Sequence, residues 1–450
     1  MLHKVRAIFA VFALLLCASC TVEPKPAAPS ILVITADDLG NQLGSYGDTT
    51  VPTPNIDALA ARGTRFTRAY VTQPSCSPSR SSFLSGLYPH QNGQLGLAHM
   101  GFGMIRDWPV TPGLLREQLG YFTALAGKLH VGPNSAFQFF DIKEHEAGTL
   151  WTRDVNAVGE KAARYFQAAA GAPFYVQFDL FDPHPPFEAQ VEGLPEQPLG
   201  ADQVEIFSWI SGAGAELETQ TANYYNSVSR LDSIVGRIVE ELRKAGRLEN
   251  TVIVFWSDNG PAFPRAKTTL YEAGTRVPFI MAGPDIKAGQ VRDELVSMVD
   301  MMPTLLQMAG AELPVVDVAY TGLDLSPLLR GEQVSWRRYL FTEQTFHTPQ
   351  MWAPARAVID GKWKLIESLP VGTSETNIEL YDLEQDPDEY SNLADRATGR
   401  AQRAELLAAL QQWRVQTGDP LLDAGTVSRL EKIRMAAEKP VAPWYNPSGQ

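Results

Sequence analysis

The residues with the most chemical content lie in the run Cys76-Ser77-Pro78-Ser79-Arg80. A cysteine that opens a helix meets the positive end of the helix dipole and backbone N–H groups that have no partner within the helix. Sulfate and phosphate bind at such ends for the same reason. Arg80, one turn on, can point a two-pronged cation at the same anion. On these residues alone, Cys76 is either a thiol nucleophile beside an anion site or a buried, inert cysteine, the commoner fate of a single Cys. Two further groups carry hard oxygen donors. Asp37-Asp38 and Asp258-Asn259 each follow a short apolar run, and carboxylate and amide oxygens suit Ca2+ or Mg2+ rather than zinc. Each pair by itself is also ordinary turn chemistry. Candidate bases occur in Gly127-Lys128-Leu129-His130, in Asp182-Pro183-His184, and at Arg265 and Lys267.

These residues need elements that bring them together. The β-prone run over 31–36 reads as a buried parallel strand, as do 174–180, 252–256 and 277–281. Thr-Pro pairs at 53–54 and 111–112 supply an N-cap and a first helical residue, predicting helices over 54–61 and 113–118. Val228, Leu231, Val235, Ile238 and Leu242 recur at three- and four-residue steps, which predicts an amphipathic helix over 224–242. Strands alternating with helices predict an α/β fold with a large, mainly parallel sheet flanked by helices. Asp37/Asp38, Asp182/His184 and Asp258/Asn259 then fall just past strand C-termini, the edge where open α/β sheets place their sites. After about residue 335 the texture changes. Strand-like segments at 357–359, 363–366 and 379–382 precede a helix over 400–414, which reads as a smaller C-terminal α+β subdomain over 336–450. The catalytic domain is expected over 31–335.

The run at 76–80 resembles the Cys-x-Pro-x-Arg motif of formylglycine-dependent sulfatases, members of the alkaline-phosphatase-like superfamily, and the resemblance extends from residue 31 to about 393. It implies that a separate enzyme, formylglycine-generating or anaerobic sulfatase-maturating, converts Cys76 to formylglycine, whose hydrated aldehyde supplies the nucleophilic oxygen. It implies one Ca2+ held by Asp37, Asp38, Asp258 and Asn259 together with the modified Cys76. It further implies that Lys128, Lys267 and Arg80 hold the sulfate. In the same reading His130 takes a proton from the aldehyde hydrate and His184 assists the leaving group. Arg265 is a nearby rival to Lys267. Within the family, residues 76–97, Gly127–Pro133 and Phe181-Asp182-Pro183-His184 resemble heparan N-sulfatase (sulfamidase) most, which makes Asp182 a candidate contact to the sugar or leaving nitrogen. The implied reaction removes an O-sulfate ester or N-sulfate from a glucosamine-type sugar. One rival is a phosphonate monoester or phosphodiester hydrolase of the same superfamily. Another is a non-catalytic glycan-binding surface lipoprotein, against which the intact set of Cys76, Arg80, Lys128, His130, His184 and four metal ligands argues.

Composition narrows the setting. The 450 residues carry a formal net charge of −13, which argues against a broad nucleic-acid-binding face. Residues 1–20 combine a basic start, a short apolar run and Cys17-Ala18-Ser19-Cys20. That pattern is expected of a signal peptide of the lipoprotein type, with Cys20 lipidated, export to the periplasm or cell surface, and a proline-containing tether over 21–30. Cys76 is then the one cysteine left in the exported domain, with no partner there for a disulfide.

Overall fold

The computed structural model describes residues 28–144, 150–369 and 376–436. The expected signal peptide, Cys17, Cys20 and most of the expected tether lie outside these. An eight-stranded sheet runs in the order Ile142–Glu144, Phe122–Gly127, Phe174–Asp179, Ser30–Ala36, Thr251–Ser257, Phe279–Ala282, Gly63–Phe66, Gln290–Arg292. Its central strands are parallel: Ser30–Ala36 pairs with Phe174–Asp179 on one side and Thr251–Ser257 on the other. The mainly parallel sheet expected from the alternating pattern is therefore present. Phe279–Ala282 departs from it, running antiparallel to both neighbours. No full helix carries the chain back across the sheet after Thr251–Ser257. Only the short Glu272–Thr275 intervenes, so the chain re-enters from the same edge and runs the opposite way.

Alternation along the central strands divides the core in two. Ile31, Val33, Val252, Val254 and Trp256 face one layer, with Phe83, Leu115, Met301 and Leu305 from its helices. Leu32, Ile34, Ile253 and Phe255 face the other, with Val158, Tyr165, Val228, Leu231, Val235 and Ile238. Each such aliphatic side chain, fully buried, contributes about 1.5–3 kcal/mol from transfer out of water. The helix expected over 224–242 spans Ala215–Lys244. Its added first turns lack an apolar stripe but carry Glu216 and Glu218, whose charges suit a helix N-terminus.

The C-terminal region forms a four-stranded antiparallel sheet, Leu340–Phe346, Trp352–Ile359, Trp363–Ser368 and Asn377–Asp382, covered by helix Arg400–Thr417 through Leu406, Leu410 and Trp413. The expected strands and helix of this region all appear, and Leu340–Phe346 is added. Among the described residues, no helix is long and apolar enough to cross a membrane.

A candidate active site at the carboxyl edge of the large sheet

Because the central strands are parallel, their C-terminal ends open on one edge, and the sequence candidates converge there. Asp37 and Asp38 follow Ser30–Ala36, Asp258 and Asn259 follow Thr251–Ser257, and Lys128 follows Phe122–Gly127. Cys76 is the first residue of Cys76–Ser85, a helix buried along its whole length. Ligand atoms of Asp37, Asp38, Cys76 and His184 all lie within 4.8 Å of one another. Asp38 holds the left-handed backbone (φ 65°), a conformation Asp tolerates better than most residues, and its N–H donates to Asp258 Oδ1 at 3.1 Å. Asn259 Nδ2 donates to Asp38 Oδ1 at 2.7 Å, while Asn259 Oδ1 is buried without a hydrogen-bond partner.

Three buried carboxylates so close repel one another. Burial first, and then the Asp37 charge, push Asp258 up to about 6. Burial opposes ionisation of Asp37 too, but Lys128, His184, Arg80 and Lys267 together hold its carboxyl well below the usual range. An oxygen-rich donor set with mutual repulsion and an orphaned amide oxygen fits a divalent hard cation.

The bases divide by what they touch. Lys128 Nζ lies 2.5 Å from Asp37 Oδ2 and 3.6 Å from Cys76 Sγ. Lys267 Nζ lies 2.6 and 2.8 Å from the two oxygens of Asp38. Arg80 is more committed than the sequence reading implied. Its Nε donates to Asp258 Oδ2 at 2.7 Å and its Nη1 meets Asp179 Oδ1 at 3.2 Å and the Lys128 carbonyl. Only Nη2, 3.6 Å from Asp37, lacks a hydrogen bond. His184 Nε2 faces Asp38 Oδ2 at 3.8 Å, and its Nδ1 lies 2.6 Å from the Pro185 carbonyl. His130 Nε2 lies 2.6 Å from His99 Nδ1, with the two rings stacked.

Two candidates turn away from the cluster. Asp182 accepts hydrogen bonds from Arg230 through both oxygens, at 2.7 and 2.8 Å, and is ion-paired with Arg153, whose Nε lies 3.2 Å away. Arg153 also donates to the carbonyls of His184 and Pro186. The carboxylate is thus spent on holding the His184 loop. Arg265 donates to the carbonyls of Asp388 and Glu389 and packs against the rings of Tyr271 and Tyr390. Left-handed residues at Arg265 and Thr268 (φ 62° and 70°) bend the loop on either side of Lys267, and of the two bases Lys267 alone faces Asp38.

Cys76 is 1% exposed. Its Sγ sits 3.5 Å from Asp37 Oδ1. Burial, opposed by Lys128 and Lys267 and reinforced by Asp37 and Asp258, pushes the thiol up. The Sγ–H is placed to donate toward that carboxylate, and burial disfavours the thiolate.

Four contributors were not anticipated. Arg153 and Arg230 are fully buried behind His184, and His99 stacks on His130. His347, from the C-terminal sheet, places Nδ1 2.8 Å from Ser75 Oγ, next to Cys76. None sits in a motif, and the strand that His347 follows, Leu340–Phe346, was itself not expected, so nothing local in the chain sets them apart.

Residues 29–311 match the family model Sulfatase, and residues 265–416 match N-sulphoglucosamine sulphohydrolase, C-terminal. Human N-sulphoglucosamine sulphohydrolase is 30% identical over 482 residues, covering 90% of this chain and 93% of that protein. Two solved structures share the fold. An enzyme in complex with its substrate D-glucosamine-2-N,6-O-disulfate is 22% identical, with a TM-score of 0.70 over 87% of this chain and 98% of that one. The phosphonate monoester hydrolase of Agrobacterium radiobacter is 21% identical, with a TM-score of 0.70 over 86% and 96%.

Proposed function

The chain belongs to the sulfatase family, and on that premise we propose that it hydrolyses sulfate from a sulfated carbohydrate, with the N-sulfate of a glucosamine-type sugar as the first substrate to test. The choice of sugar is supported by the C-terminal family match and by the activity for which the human relative is named. The observation that carries the reading is Cys76 itself: it opens a fully buried helix with its Sγ set against Asp37 and Lys128, at the head of the Cys-Ser-Pro-Ser-Arg run. A cysteine meant to attack as thiolate is normally placed where its pKa falls. Here the position suits a residue converted to formylglycine, which supplies an oxygen nucleophile as its hydrated aldehyde.

Asp37, Asp38, Asp258 and Asn259 would hold Ca2+, which supplies positive charge against the substrate's sulfate oxygens. Lys128 and Lys267, at the same carboxylates, add two cationic charges to the anion's surroundings. Arg80 keeps Asp258 and Asp179 in place and reaches the anion only through Nη2. His184 orients and protonates the departing sugar oxygen or nitrogen. Its loop is braced from behind by the Arg153–Asp182–Arg230 network, and such bracing is how enzymes keep reacting groups within reach. His130, backed by His99, takes a proton from the formylglycine hydrate. Residues 1–20 support export with a lipid on Cys20.

Mass spectrometry of the Cys76 peptide, from protein co-expressed with a maturation enzyme, tests the core of this reading: conversion of thiol to aldehyde removes about 18 Da, a change absent from the usual cysteine oxidation ladder. Turnover of an aryl sulfate should then exceed that of an aryl phosphonate monoester. The reverse order would make the protein a phosphonate hydrolase instead.

A further inference from the structure

His347 stands apart from the rest of the site in origin. It belongs to the loop between Leu340–Phe346 and Trp352–Ile359, the first hairpin of the C-terminal sheet. The pairing of these strands shifts register between Gln344 and Phe346, and a bulge of this kind re-aims the side chains beside it. The loop is then pinned to the catalytic sheet's own segments. Phe346 N–H donates to the Leu95 carbonyl at 3.1 Å, Gln73 Nε2 to the Phe346 carbonyl at 2.7 Å, and Leu97 N–H to the His347 carbonyl at 2.9 Å. The imidazole is thereby fixed against Ser75. Ser75 occupies the N-cap position of the Cys76 helix, yet its hydroxyl makes no cap bond. It lies 2.8 Å from His347 Nδ1 instead.

We propose that His347 is a substrate-contacting residue lent by the C-terminal sheet, with Nε2 hydrogen-bonding a hydroxyl or amino group of the sugar that carries the sulfate. The proposal rests on the sulfatase reading and assigns a specificity determinant within it. The ring's surroundings support a neutral partner. Lys267, Lys128, His184 and His99, from four separate segments, all act on it, and burial with these charges holds it well below the usual histidine range. A neutral imidazole with Nδ1 engaged presents Nε2 as a single donor or acceptor. That suits an uncharged sugar group, whereas the two lysines and the carboxylate-bound cation suit the sulfate. Nδ1 is taken by Ser75, the residue before Cys76, which leaves Nε2 as the ring's remaining polar atom. A site built to hydrogen-bond a substrate hydroxyl or amine discriminates strongly against ligands that lack it.

The test compares kcat/KM on glucosamine N-sulfate with that on 4-methylumbelliferyl sulfate, in formylglycine-containing protein. In His347→Ala the sugar-to-aryl ratio should fall about tenfold, the size expected for losing one hydrogen bond to a desolvated partner. His347→Gln, whose amide nitrogen can stand near the position of Nε2, should restore the ratio better than His347→Asn, which mimics Nδ1. In a Cys76→Ala background, calorimetric affinity for glucosamine N-sulfate should fall by a similar factor when His347 is replaced by Ala. Equal losses on both substrates, or better rescue by Asn than by Gln, would mean that His347 merely buttresses Ser75 and would overturn the assignment while leaving the sulfatase reading intact. Converted parent protein that turns over neither sulfate would overturn that reading and this assignment with it.

Discussion

Two regions of this molecule bury clusters of charge, and they do so in opposite ways. Under the C-terminal sheet, Arg356 gives two bonds of 2.9 Å to Asp419. Arg414 adds a third to Asp419 at 2.9 Å and reaches Glu367 at 3.2 Å. Burial there would raise the carboxyl, but Arg356, with smaller help from His90 and the Leu421 N–H, holds Asp419 far below its usual range. At the edge of the large sheet, three carboxylates crowd together, burial pushes two of them up, Asp38 and Asp258, and Asn259 Oδ1 has no partner. The first cluster is complete as it stands. The second has a charge distribution that asks for a cation and an anion to balance it, which is how a site differs from a brace.

The comparison breaks most visibly in activity. Cys76→Ala should abolish sulfatase turnover, a loss of about a thousandfold or more, while thermal unfolding stays within a few degrees of the parent, the scale of about 1 kcal/mol. Undiminished turnover in that variant would remove Cys76 from the mechanism. The brace should respond in the opposite sense. Asp419→Ala strands two buried guanidinium groups, which costs about 3–5 kcal/mol, readable as a lowered denaturant midpoint. A near-neutral result would mean that water replaces the carboxylate and that this cluster is no more complete than the site.

Cation binding sharpens the same contrast. Ca2+ should stabilise the parent by about 2.7 kcal/mol at a hundred times its dissociation constant, and chelation should reverse it. Asp258→Asn removes one of the repelling carboxylates but keeps an oxygen for the Asp38 N–H. Its amide N–H would face Arg80 Nε, which offsets the relief of repulsion, so in chelator its stability should fall less than that of Asp419→Ala, and the Ca2+-dependent gain should shrink or vanish. If Asp258→Asn destabilised the protein as much as Asp419→Ala, the two clusters would be of one kind.

The division also explains what the chain discloses when read alone. Asp37, Asp38, Asp258 and Asn259 follow apolar runs at strand ends, so their position at one edge follows from the strand pattern. Phe122–Gly127, of sequence FTALAG, was not foreseen, because alanine and glycine are poor strand formers. Arg230 lies on the long helix and reads as a solvated base, yet it is fully buried against Asp182. Arg265 and Lys267 are two residues apart, and only the backbone of their loop, left-handed at Arg265 and Thr268, settles which one faces Asp38. His347 and Ser75 meet across 272 positions of the chain, a proximity created by the docking of two sheets. Local pattern places the ligands; tertiary packing places what surrounds them.

A third buried cluster lies between these extremes and titrates near neutrality. At the joint between the two sheets, fully buried Lys364 pairs with Glu272 Oε1 at 2.8 Å and Glu389 Oε1 at 3.1 Å, so one ammonium serves two carboxylates. Burial raises Glu389, the Glu272 charge raises it further, and Lys364 opposes both, leaving it pushed up to about 7 from 4.5. A carboxyl raised in the folded state binds its proton more tightly there than in the unfolded chain. Its contribution is therefore fully present below about 4.5 and is lost as pH rises through about 7. Unfolding free energy of the parent should accordingly carry a downward component between about pH 4.5 and about pH 7. Glu389→Gln keeps the shape, leaves Lys364 its Glu272 partner and cannot ionise, so its stability should decline less over the same interval. Parallel pH profiles for parent and variant would show that Glu389 stays charged when folded, and that the joint is a completed brace like the Asp419 cluster.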